Sequence, residues 1–181
     1  MVDKTGTGNR GVKNIILAPE VTMLVERYQY YNADLEGINT SNIVTFGKQV
    51  FFGCTKLTEI DMSSAKTIGY ESFQDCTSLE RVTMGNSLSG IMGYAFKNCK
   101  KLGDIVFYSA PRIETQSFEN CTMAHLVFIC NSVPTLTNTS AFRNTNCQFI
   151  VPDALYDEWV SATNWSTYAD RIIKSSEYTE S

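Results

Sequence analysis

Six cysteines, a single histidine and a scatter of carboxylates are the side chains in this 181-residue sequence with chemistry to offer. Cys54, Cys76, Cys99 and Cys121 stand 22, 23 and 22 residues apart. Structural zinc wants closely spaced thiolates or histidines beside them, whereas this sequence has no C-x-x-C pair and only His125. No metal and no cofactor are therefore expected. A period near 22 suits a ladder instead, in which equivalent side chains lie about 4.8 Å apart with parallel vectors. A disulfide needs Cβ atoms about 3.8 Å apart and turned toward one another, so ladder cysteines bridge poorly. The four are expected as reduced core fillers. Cys130 and Cys147 fall outside the ladder, and for them a mutual pairing stays open.

The remaining reactive types form no catalytic constellation. His125 has no aligned nucleophile, so it reads as a solvated residue on or beside a strand rather than a general base. No G-x-S-x-G elbow is present, and Gly85-Asn86-Ser87 and Ser89-Gly90 read as turns rather than phosphate cradles. Glu59, Asp61, Glu80 and Asp104 recur at related places, and paired carboxylates are the tools of glycosidases. Arg81 and Thr83 interleave with them, however, which points to a solvated face of mixed charge. Tyr156, Trp159, Trp165 and Tyr168 fit either a sugar-stacking platform or, more simply, a packed cap. Tyr28, Tyr30 and Tyr31 offer a contact for another protein. No catalytic residue is assigned, and the expectation is a non-enzyme.

The elements that position these residues follow from the repeat. Three residues before each ladder cysteine stands an aromatic: Phe51, Phe73, Phe96 and Phe118. Five before those come Phe46, Ile68, Ile91 and Ile113. After the first three cysteines come Leu57, Leu79 and Leu102, then Ile60, Val82 and Ile105, then Met62, Met84 and Phe107. The fourth unit slips: either Met123, Leu126 and Phe128 fill these places, or Ala124, Val127 and Ile129 do, and the first set buries the larger side chains. An earlier unit holds Leu24, Asn32, Leu35 and Ile38, with Ile16 a further 22 back; a ragged last unit contains Phe142 and Cys147. Each unit is one coil of a solenoid: the L-x-x-I-x-L segment ends in strand-like alternation, a second short extended stretch precedes the aromatic, and F-x-x-C forms a helical or 3₁₀ corner. About five to six coils stack as parallel strands, because no coil buries its apolar side alone.

This unit resembles the BspA-like type of leucine-rich repeat, whose units read roughly IGxxAFxxCxxLxxIxLP. TIGYESFQDCTSLERVTM (residues 67–84) nearly matches it, and GYAFKNCKKLGDIVF (residues 93–107) is close behind. The resemblance covers about residues 24–151, with Met92 in place of the usual glycine, Gln29 of the aromatic and Asn32 of the cysteine. The segment 150–172 is similar to one that often closes such arrays in gut-bacterial proteins. The resemblance implies an extracellular or cell-surface bacterial protein, in a family some of whose members adhere to host matrix proteins.

Residues 1–11 read as a flexible leader, 12–151 as the solenoid, 152–174 as a C-terminal cap and 175–181 as a polar tail. In the cap, Asp153 is the expected N-cap of a helix of about ten residues from Ala154, followed by a second helical turn over residues 166–173 with Tyr168 and Ile172 inward. The outward strand positions are Asn39, Asp61, Thr83, Val106 and Val127; with Thr58, Glu59, Glu80, Arg81, Gly103 and Asp104 they tile one continuous face. Such faces are the usual binding surfaces of repeat proteins. Its drift from polar to apolar marks a contact patch or simply a strand's tolerance for β-branched residues. A net charge of −4 without a basic cluster disfavours nucleic acid, and no apolar stretch reaches the roughly 18 residues of a membrane span. The expected role is a binding module for a protein or glycan, with a ligand-free structural spacer or assembly domain as the alternative.

Overall fold

The computed structural model describes residues 11–25 and 32–179; the leader through residue 10, Gln29 and Tyr28, Tyr30 and Tyr31 lie outside the described residues. The chain winds as a solenoid of short parallel strands. One ladder is continuous: Met23–Leu24, Thr45–Phe46, Thr67–Ile68, Gly90–Ile91 and Arg112–Ile113 pair in that order, and a bridge from Ile113 to Leu136 extends it. Its register sets Leu24, Phe46, Ile68, Ile91 and Ile113 one above another, all buried.

The second ladder carries the longer strands and is divided. Asn14–Ile15 pairs with Gly37–Ile38, and Glu59–Met62 with Arg81–Met84. Ile105–Phe107, His125–Phe128, Gln148–Val151 and Ile172–Lys174 then form a four-stranded sheet. The strands under the expected continuous face are thus interrupted twice, between Ile38 and Glu59 and between Met84 and Ile105. At the end of strand Arg81–Met84, a Cβ on Gly85 would stand 1.8 Å from the Ser63 carbonyl oxygen, so only glycine lets that coil pass so close.

Between the ladders the core is an aromatic column. Phe51, Phe73, Phe96, Phe118 and Phe142 stack with ring centroids 5.2, 5.3, 5.2 and 5.5 Å apart. Beside it runs the cysteine row; all six cysteines are buried and none is in a disulfide. Cys76, Cys99 and Cys121 donate to the carbonyls of Phe51, Phe73 and Phe96, one coil back. The row continues in other residue types: Asn32 donates its amide to the Val12 carbonyl, and Thr145 its hydroxyl to the Phe118 carbonyl at 2.8 Å. The common requirement is a small side chain able to donate across one coil spacing. Thr145 is therefore the last member of the row. Burial pushes the Cys54 and Cys121 thiols up to about 12 and holds Cys76 and Cys99 well above the ordinary thiol range.

The corners are successive turns with i to i+3 bonds, such as Cys76 N–H to Phe73 O at 3.1 Å; one of them, Thr139–Phe142, is a 3₁₀ helix. Each corner turns through left-handed residues at two recurring places, one filled by Gln49, Glu71, Tyr94 and Gln116, the other by Gly53, Asp75, Asn98, Asn120 and Asn144. Asparagine and aspartate accept this conformation better than most residues. Here they also bond coil to coil, Asn98 to Asp75, Asn120 to Asn98 and Asn144 to Asn120, at 2.7, 2.7 and 2.9 Å.

Several expectations need correction. Ile15, not Ile16, aligns with Ile38, and Ile16 is 91% exposed. In the fourth unit, by contrast, the expectation holds: Met123, Leu126 and Phe128, the set with the larger side chains, are buried, while Ala124 and Ile129 face water. The cap is only partly helical: a 3₁₀ turn Asp153–Leu155 runs into an α-helix Tyr156–Ser161, then a 3₁₀ segment Trp165–Arg171. Pro152 precedes the first turn and no side chain caps it, because Asp153 points to Ser175 and Ser176 instead. The expected second helical turn ends early, and Ile172–Lys174 becomes a strand beside Gln148–Val151. Trp159 and Trp165 are fully buried, with centroids 4.6 Å apart, against Phe128, Phe142 and Phe149. Of the two readings of the cap aromatics, core packing is the one observed.

Candidate functional site

Parallel register lines up two outward rows on the longer strands. One contains Glu59 beside Arg81 and, in the four-stranded sheet, His125 beside Gln148. The other contains Asp61 beside Thr83, then Val106, Val127, Ile150 and Ile173 in sequence. The outward positions fall into two zones with different chemistry.

The zone on strands Glu59–Met62 and Arg81–Met84 is polar, and its charges pair with each other. Glu59 and Arg81 meet at 2.6 Å with both side chains mostly in water, and Glu80 meets Lys101 at 3.5 Å. Asp61 accepts the Ser63 N–H at 2.9 Å, and the Thr58 carbonyl takes the N–H groups of Glu80 and Arg81. Thr58 and Thr83 are exposed. Ile38, Glu59, Ile60, Asp61, Arg81 and Thr83 line a depression of about 290 Å³. Asn39 is engaged differently: its amide donates to the Leu17 carbonyl at 3.1 Å and accepts the Leu17 N–H at 2.6 Å, bracing the first coil.

The zone on the four-stranded sheet is apolar. Val106, Val127 and Ile150 form the floor of a groove of about 690 Å³, with Ile129, Cys130 and Pro152 along its sides and Ser175 and Tyr178 from the tail. That volume lies within the ordinary range for ligand pockets, and its lining, mostly apolar with a few polar groups, is of the usual kind. Sequence reasoning reached Val106 and Val127 but missed Ile150, Cys130, Pro152 and Tyr178. The signal for Ile150 and Ile173 was a short run of consecutive apolar residues, 149–151 and 172–173, as in a strand covered on both faces. For Tyr178 no sequence signal existed, since its place depends on how the tail folds back.

Asp104 and His125 join the zones. One Asp104 carboxylate oxygen accepts the N–H groups of Ala124 and His125 at 2.9 and 2.7 Å, and the other lies 2.6 Å from His125 Nδ1. The His125 side chain is only 19% exposed, with the Tyr178 ring edge-on at 4.9 Å. His125 is thus clamped rather than solvated as expected. A carboxylate-held imidazole can serve as a base, but here its neighbour is an aromatic ring, and the pair joins adjacent strands and seats the tail. Among the described residues no group of three or more histidine, cysteine, aspartate or glutamate side chains is gathered as for a metal ion.

The tail packs back over this zone. Ser175–Glu177 forms a 3₁₀ turn in which the Ser175 hydroxyl (2.9 Å) and the Ser176 N–H (3.0 Å) and hydroxyl all donate to the Asp153 carboxylate. The Ser176 and Ser175 bonds hold Asp153 down at about 2.

Comparison with known proteins bears on this architecture. No curated protein matches the chain. The crystal structure of the pneumococcal vaccine antigen PcpA is similar over 93% of this chain, at 9% sequence identity and a TM-score of 0.45. This chain spans 56% of that one. The family described as the BspA type leucine rich repeat region matches residues 13–150 in six copies, which covers the strands as far as residue 150, the aromatic column and the cysteine row. The chain belongs to the BspA-type leucine-rich-repeat family.

Proposed function

We propose that this chain is a non-catalytic binding module of a bacterial surface or secreted protein, and that it engages a protein or glycan through the strand face. The observation that carries this reading is the apolar row Val106, Val127, Ile150 and Ile173 lying in register beside a groove, with ion-paired polar strands next to it. A solenoid needs an apolar interior but has no structural need for an apolar outward row. Val106, Val127 and Ile173 are half-exposed and Ile129 beside them is exposed, while Ile150 is covered within the groove. Apolar side chains left partly open to water in one place are the usual mark of a contact surface. The polar zone would supply orientation and on-rate, and the groove most of the affinity.

The test uses immobilised glycans and extracellular-matrix proteins as a binding panel. Val127→Asp should abolish any specific capture with the thermal midpoint unchanged. Asp61→Lys with Arg81→Glu should weaken it in a salt-dependent manner. Capture indifferent to all three changes would remove the strand face from consideration.

A structural role is favoured by one separate observation. At the opposite end Val12, Ile16, Met23 and Val25 are exposed beside the edge strands Asn14–Ile15 and Met23–Leu24, a surface on which a further coil could stack. Concentration-dependent oligomers lost in Met23→Lys, without any capture on the panel, would favour the spacer or assembly reading.

A further inference from the structure

We propose that the C-terminal tail, Ser175 through Thr179, is a releasable strap, clasped at Asp153 and seated by Tyr178, that sets how open the apolar groove is. It does not depend on the strand face having a partner, and its test uses none.

The strap's seat is specific. Tyr178 and Ser175 line the same groove as Val106, Val127, Ile150 and Cys130, so the tail supplies one wall of it. The Tyr178 ring lies edge-on to His125, whose orientation Asp104 fixes. Three donors from two consecutive serines converge on the one carboxylate of Asp153, just past the end of strand Gln148–Val151. Clasp and seat hold the two ends of a five-residue segment.

Its attachment is also weak in the way a moving part must be. No residue of Ser175–Glu177 is buried, and the bonds to Asp153 lie at the exposed surface. Tyr178 alone is half-buried, and Thr179 is exposed. Segments with few buried apolar contacts and solvent-exposed bonds open locally at a small fraction of the global unfolding free energy. Ile172–Lys174, immediately before the strap, is by contrast a paired strand with Ile172 buried, so opening stops there. Lys174 is held over the Tyr156 ring at 4.9 Å, which fixes the hinge.

The molecule contains its own reporter. Cys130, buried but 7% exposed, lines the groove, while Cys54, Cys76, Cys99, Cys121 and Cys147 lie deeper in the core and outside the groove's lining. The experiment follows N-ethylmaleimide modification of the native full chain at one pH, with the modified cysteine identified by peptide mass. In the parent protein Cys130 should react slowly. In Asp153→Ala, in Tyr178→Ala and in a chain ending at Lys174 it should react about five- to tenfold faster, the scale on which a few exposed hydrogen bonds count. Asp157→Ala, an exposed carboxylate outside the clasp, should leave the rate alone. Equal Cys130 rates in all the proteins would overturn the proposal. So would faster modification of the row cysteines along with Cys130, since that would show the tail to be a brace of the whole fold rather than a strap on one groove.

Discussion

Replacing Phe96 with alanine tests the stacking logic most directly. Phe96 is fully buried and lies between Phe73 and Phe118, with centroids 5.3 and 5.2 Å away and interplanar angles of 7° and 10°. Truncating a buried phenylalanine costs about 3–5 kcal/mol, and the removal of stacking from both ring faces at once places this site in the upper half of that range. With a urea slope of about 2 kcal/mol per molar, the unfolding midpoint falls by about 2 M. The position adds a second expectation. Coils contact only their neighbours, so a cavity in a middle coil weakens the coupling between the two halves. Both tryptophans, Trp159 and Trp165, sit in the cap, so tryptophan fluorescence follows the C-terminal half while far-UV circular dichroism follows the whole chain. The two midpoints should coincide in the parent and separate in Phe96→Ala. Phe96→Leu, which keeps most of the apolar volume but cannot stack on either neighbouring ring, should cost about 1–3 kcal/mol with the midpoints still together. A Phe96→Ala midpoint within experimental error of the parent would refute the shared column.

Three further outcomes follow from named contacts. Thr145→Val keeps the shape but removes the hydroxyl donated to the Phe118 carbonyl; a loss of about 1 kcal/mol is expected in urea titrations, and Thr145→Cys should retain most of the stability by restoring the residue type of the row. Asn98→Val places a β-branched residue at φ 62° and breaks the amide ladder on both sides, so a loss of about 2 kcal/mol should appear in thermal unfolding. Asp153 is held at about 2 against an unfolded value of 3.8, so its contribution is complete above pH 3.8 and is lost as pH falls through about 2; amide exchange at Ser176 should accelerate in that window relative to the exchange expected for a free peptide, and not between pH 5 and 8.

The interior was legible in the sequence because stacking makes one demand repeatedly. Each coil must place an aromatic, a small donor, a leucine and an alternating strand at fixed intervals, and Phe73, Cys76, Leu79 and Met84 meet the same burial as their counterparts one coil on. Legibility failed where the demand is chemical rather than compositional. Thr145 meets the requirement of the cysteine row with oxygen in place of sulfur, so a reading by residue type ended the row at Cys121. Ile15 and Ile16 are indistinguishable by composition, and pairing with Ile38 decides between them. Tyr168 and Ile172 at helical spacing favoured a helix over residues 166–173, but the open edge of Gln148–Val151 recruits Ile172–Lys174 as a strand. On the outer face the sequence supplied charges without their partners. Glu59, Glu80 and Asp104 looked like free contact residues, and coil-to-coil register gives them Arg81, Lys101 and His125.

That pairing bears on where binding energy can come from. A ligand that takes Glu59 or Arg81 must first separate an exposed pair whose net worth is small, so the exchange is nearly neutral and brings selectivity more than affinity. Covering the exposed parts of Val106, Val127 and Ile129 releases water at about 25 cal/mol per Å² with no polar bond to break. The asymmetry follows from the coils themselves. The longer strands are divided after Met84, where Gly85 draws its coil against Ser63, and the four strands beyond that point pair continuously to the last residues of the cap. A continuous sheet holds its outward valines and isoleucines in one rigid row, whereas a two-stranded piece holds only Asp61 and Thr83. Rigidity and apolarity therefore coincide at the C-terminal end, which is also where the tail lies. If the face binds, removing the tail should alter affinity far more than neutralising Glu59 and Arg81 together; the reverse order would place the energy in the polar zone and defeat this reasoning.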